Sequence, residues 1–65
     1  MEIGTFLKHP TLGLCRVIGN GGDKVRIVQE NGEESLLVGS FVQKRCALVA
    51  AGDIDPRSPL LVKLS

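Results

Sequence analysis

The chain has no tryptophan, no tyrosine and two phenylalanines among 65 residues. An aromatic platform on which successive bases stack is therefore missing, and with it the usual means of single-strand recognition. It has one histidine, His9, and two cysteines, Cys15 and Cys46. A nucleophile needs a base in reach and a third group to orient that base. This inventory supplies no such constellation, so catalysis is not expected. Structural zinc takes four ligands, commonly paired at short spacing. Here three soft ligands stand without a Cys-x-x-Cys pair, so no metal and no cofactor are expected, and each cysteine reads as a small buried hydrophobe. Two cysteines are also too few for a disulfide scaffold, which points to a reducing, cytoplasmic setting. The opening residues carry no basic stretch followed by an apolar run, so no secretory leader is expected. The longest apolar runs, 36–38 and 47–51, fall far short of the roughly 20 residues that span a bilayer. Charge of one sign is lacking too: 8 Lys and Arg stand against 7 Asp and Glu, for a net charge of +1. That is not the basic footprint of an autonomous nucleic-acid binder.

What remains is a small module with 43% hydrophobic residues, too hydrophobic for a disordered chain. Val, Ile, Leu and Phe recur in short runs with glycines between them, and no window carries an uninterrupted helical stripe. The pattern predicts five strands, at 5–9, 14–18, 24–29, 34–38 and about 45–49. Pro10 ends the first, because it cannot donate to a ladder and biases His9 away from helix. The glycine-rich stretch 19–23 predicts a flexible hairpin tip. Asn31-Gly32 predicts a two-residue type I′ hairpin, which needs positive φ at both central residues. Residues 39–42 predict a single helical or 3₁₀ turn before the last strand. The fold expected is all-β: a small five-stranded barrel over residues 1–50, with residues 51–65 as a C-terminal tail, an extra strand or a docked helical turn.

Period-two alternation then assigns faces. The expected core is Leu7, Cys15, Val17, Val25, Ile27, Leu36, Val38, Phe41 and Leu48. Lys8, Arg16, Lys24 and Arg26 share outward parity on three consecutive strands and form a candidate basic stripe. Leu14, Ile18, Val28 and Leu37 also point away from that core. A barrel this small cannot bury both faces of its strands, so either the tail covers these side chains or they form a partner patch. The candidate partner surface is thus Lys8, Leu14, Arg16, Ile18, Lys24, Arg26 and Leu37. Strand addition at a sheet edge suits it. Rival uses are nucleic-acid binding through the stripe and closure of a homo-oligomer through the apolar face. His9 reads as a side chain bracing the turn ahead of Pro10.

Gly4, Leu7, His9, Pro10, Gly13 and Val17, followed downstream by Asn31-Gly32 and Leu36-Leu37-Val38, carry a resemblance over roughly residues 3 to 50. This run resembles the CarD-like RNA polymerase-interacting domain shared by CarD regulators and the transcription-repair coupling factor. It is also similar to the Tudor-like C-terminal domain of UvrD/PcrA-type helicases. Thr5 stands where those families carry an acidic residue, Cys15 where they carry a second glycine, and Ile27-Val28 where an aromatic is common. The resemblance implies an SH3-like or Tudor-like barrel that acts as a non-enzymatic protein-interaction module, with bacterial RNA polymerase or the transcription and repair machinery as its partner. Folds of this type host unrelated functions, so the fold alone does not transmit one.

Overall fold

The computed structural model describes residues 2–62. Its elements are β1 (Phe6–His9), β2 (Gly13–Gly21), β3 (Lys24–Gln29), β4 (Glu34–Val38), helix α1 (Gly39–Arg45), β5 (Ala47–Val49), a 3₁₀ turn (Ala51–Asp53) and the short helix α2 (Pro59–Val62). All strands pair antiparallel in one sheet of order β4-β3-β2-β1-β5. Five strands in an all-β arrangement match the sequence expectation; barrel closure does not. The sheet stays open, with β4 and β5 as its two edges. The reason lies between them. The expected single turn at 39–42 is a helix reaching Arg45, so β5 starts at Ala47 and keeps only three residues. Helix α1 carries the chain from one edge to the other, and its Val42, 1% exposed, closes the inner face in place of strand pairing.

Two turns set the registers. Gly22 and Asp23 alone join β2 to β3, with Gly22 at φ 62°. The broad flexible tip expected at 19–23 therefore shrinks to a tight turn, because Gly19 and Gly21 are already paired in β2. The second turn departs from type I′. Gln29 donates its N–H to the Glu33 carbonyl at 2.8 Å. The loop is thus Glu30-Asn31-Gly32, one residue longer than expected. Gly32 takes φ 90°, while among the described residues no non-glycine has positive φ. A three-residue loop closed by a left-handed glycine is the next favoured hairpin solution.

That extra residue inverts β4. Val25 pairs with Leu37, and Arg26 with Leu36. A one-residue slip sends every side chain of a strand to the opposite face. Leu37 accordingly packs against the inner core, whereas Leu36 and Val38, expected inside, lie outside at 56% and 47% exposure. Leu48 is also exposed, at 70%, because it sits on the short edge strand. Phe41 is half-buried and stacks at a tilt on the His9 ring, with centroids 5.3 Å apart.

The sheet buries both faces. Inside lie Leu7, Cys15, Val17, Val25, Ile27 and Val42, backed by Leu37 and Cys46. A bulge at Val17/Gly19 shifts the β2–β3 register, and Ile18 is the unpaired extra residue. Outside, Phe6, Val28, Ile54 and Leu60 form a second core flanked by Leu14, Ile18, Val49 and Leu61. The segment after β5 supplies Ile54 and Leu60 to it. No helix among the described residues is long and apolar enough to cross a membrane.

Candidate functional site

The outer face divides into a covered half and a bare half. The covered half runs over β1, β5 and the first part of β2. Ser58 donates its hydroxyl to Glu30 at 3.2 Å, and Arg16 Nη1 donates to the Leu60 carbonyl at 2.8 Å. The Arg16 guanidinium also lies over the Phe6 ring, 4.9 Å from its centroid. Gly4, at φ 95°, passes beside that guanidinium: a Cβ there would stand 3.6 Å from its Nη2. Arg16 is therefore the clamp that holds the C-terminal segment down. Leu14 and Ile18 are half-buried against the outer core.

The structure thus breaks up the surface expected from sequence. Leu37 leaves it for the inner core through the longer hairpin loop. Leu14 and Ile18 leave it because they are half-buried against the outer core that the tail completes, and Arg16 is spent on the tail. Lys8 is exposed beside Leu14, whereas Lys24 lies beside Gly21. Positions 14 and 21 are roughly 23 Å apart along β2 at about 3.3 Å per residue. The four cations do not form one stripe.

Lys24 and Arg26 remain together on the bare half. Their cross-strand neighbours are Val38 and Leu36, the two apolar side chains that β4 turns outward. On the other flank they face Gly21 and Gly19, which carry no side chain. The result is a shallow cleft of about 280 Å³ lined by Gly19, Asn20, Gly21, Lys24, Arg26 and Leu36. Arg26 meets Glu34 at 3.4 Å, with both side chains about half exposed (54%/54%). Such an exposed pair contributes at most about 1 kcal/mol and yields readily to a competitor. Among the described residues the sheet has no further strand beyond β4. Leu36 and Val38 have core parity only under a two-residue loop; the three-residue loop puts them on the surface.

The reactive residue types are engaged structurally. His9 Nδ1 accepts from the Thr11 and Leu12 backbone N–H groups, both at 3.0 Å, and so braces the turn after β1. Cys15 lies opposite Leu7 rather than His9, and its thiol donates to the Gly13 carbonyl at 3.4 Å. Burial pushes the Cys15 thiol up to about 11, with the neighbouring Cys46 thiol and the Glu30 carboxylate adding to the effect. Burial raises Cys46 as well. A thiol held protonated is a poor nucleophile and a poor metal ligand. Among the described residues no three His, Cys, Asp or Glu side chains gather as a metal-binding group.

Compared with known protein families, curated proteins and solved structures, the chain matches none. The bare corner at β4 therefore has to be read from its own chemistry.

Proposed function

We propose that this protein is a non-enzymatic interaction module that docks an extended segment of a protein partner along β4. One observation carries the reading: an unpaired edge strand whose outward side chains, Leu36 and Val38, are apolar and stand beside two cations, Lys24 and Arg26. An added strand gains main-chain hydrogen bonds from such an edge and specificity from its alternate side chains. The cations favour a partner bearing Asp or Glu next to its apolar residues. From Ser35 to Val38 the edge has no charge and no proline, the devices that ordinarily block pairing. The resemblance to CarD-like domains supplies the partner to try first, bacterial RNA polymerase. The two free thiols suit a reducing compartment such as the cytoplasm.

The test is a titration of the ¹⁵N-labelled chain with purified RNA polymerase. Line broadening is expected to centre on residues 34–38. A Leu36→Asp, Arg26→Glu double variant is expected to weaken binding by at least about tenfold, since it removes an apolar contact and reverses a charge. Undiminished binding by that variant rejects β4 as the docking edge. Direct nucleic-acid binding is less well supported, because Arg16 is spent on the tail and Lys8 stands apart. Two remaining cations imply a slope of log affinity against log salt no steeper than about −2. A steep slope in a DNA titration would favour that reading instead.

A further inference from the structure

We infer that the β4 edge is self-complementary, so that a second copy of this chain occupies it when no other partner does. The inference rests on reading β4 as the docking edge, and adds an occupant. β4 spans Glu34–Val38, with Leu36 at its midpoint. Let two copies meet antiparallel, with a two-fold axis at Leu36 normal to the sheet. Every residue of the strand then has a counterpart: Glu34 faces the second copy's Val38, Ser35 faces its Leu37, and Leu36 faces its own equivalent. The two Leu36 side chains, each 56% exposed in a single copy, come within about 5 Å at the axis and cover one another.

Charge fits the same register. Within one copy Val38 is the cross-strand neighbour of Lys24. Glu34 therefore lies two strand spacings from the second copy's Lys24, about 10 Å between Cα atoms, within the joint reach of an extended glutamate and lysine. Symmetry makes this pair twice. Glu34 is free to bridge, since its bond to Arg26 is long, at 3.4 Å, and half exposed. A parallel arrangement sets Glu34 against Glu34, and like charges directly opposite disfavour it. The other edge competes poorly, because β5 has three residues. A five-residue edge buries less than the roughly 1,200 Å² of a stable interface. The dimer is accordingly weak and concentration-dependent, a continuous ten-stranded sheet that a better partner dissociates.

The test is sedimentation equilibrium from about 10 μM to about 1 mM, a span that covers weak association. Four samples are compared: wild type, Glu34→Lys, Lys24→Glu, and the two variants mixed. Wild type is expected to dimerise over this range. Each single variant places like charges at both pairs, so its association is expected to fall about tenfold. An equimolar mixture of the two variants is expected to recover association. Position 34 of the first variant then meets the opposite charge at position 24 of the second, and the native pair survives on the other side. Recovery on mixing also shows that both variants are folded. Wild type that stays monomeric to about 1 mM, or a mixture that associates no better than either variant alone, overturns the inference. Monomeric wild type that still binds polymerase through residues 34–38 overturns self-pairing and leaves the docking reading intact. A dimer with no such binding does the reverse.

Discussion

Replacing Leu60 with alanine probes the claim that the sheet is covered on both sides. Leu60 is 2% exposed and packs with Phe6, Val28 and Ile54. Buried Leu→Ala substitutions cost about 2–5 kcal/mol, the lower values where the surroundings collapse into the gap. Helix α2 spans only four residues and can settle inward, so about 2–3 kcal/mol is expected. A chain of this length holds roughly 3–10 kcal/mol in all, so the loss is a large share. In a domain this small, each kcal/mol moves the thermal midpoint by about 4–8 °C; a drop of about 10–20 °C in a circular-dichroism melt is expected. Leu36→Ala, at an exposed position, serves as control and is expected to stay within about 0.5 kcal/mol of wild type. Arg16→Ala combined with Leu60→Ala is expected to show coupling of at least about 0.5 kcal/mol, because Arg16 holds the Leu60 carbonyl. If Leu60→Ala melts with wild type, or if Leu36→Ala costs as much, the second core does not contribute and the division of the outer face is wrong.

Further outcomes follow from the buried Cys15 and His9. Cys15 has its ordinary value of 9.0 pushed up to about 11 in the fold. A raised folded value means that its stabilisation is whole below pH 9 and is lost as pH climbs through 11; urea midpoints taken at pH 8, 9.5 and 11 are expected to fall in that order. At pH 8 iodoacetamide is expected to label Cys15 only at the rate of unfolding, with a native-state labelling rate equal to that of free thiol refuting the burial argument. His9→Ala leaves the Thr11 and Leu12 N–H groups without their acceptor and is expected to cost about 1–2 kcal/mol. His9→Asn keeps an acceptor near Nδ1 and is expected to recover about half of that; equal losses in the two variants would show that contact with Phe41, rather than the hydrogen bonds, is what matters.

The strands were readable because their ends are marked chemically. Pro10, Gly13, Gly22 and Gly32 stand at turns, and three of them are glycines at positive φ. The inner core on β1 to β3 followed from alternation alone, since Leu7, Cys15, Val17, Val25 and Ile27 have polar or chain-bending neighbours that fix their parity. Alternation had no purchase on Leu36-Leu37-Val38, where three apolar residues in a row fit either face. There the turn decides, and Asn-Gly is compatible with loops of two or three residues. Helix α1 was underestimated because its two turns bury a single residue, Val42, which leaves no stripe to detect. The same shortfall hid the open sheet, since a longer helix leaves too few residues for β5 to close it. For the candidate site, Lys24 and Arg26 were identified by parity on β3. Leu36 and Val38 were lost with the register. Parity alone makes Arg16 a surface cation, because nothing local announces a carbonyl 44 positions further along the chain.

The three-residue loop at 30–32 works as a spacer gauge. Glu30 accepts from the Ser58 hydroxyl and Asn31 from the Glu33 N–H, but the loop's count governs more than either bond: removal of a single residue there would turn β4 inside out, driving Leu37 into water and Leu36 and Val38 into the interior. Descendants of this chain are thus held to a fixed tally at that corner, and a shortened loop would mark a protein with its outward grease withdrawn and the proposed docking corner erased.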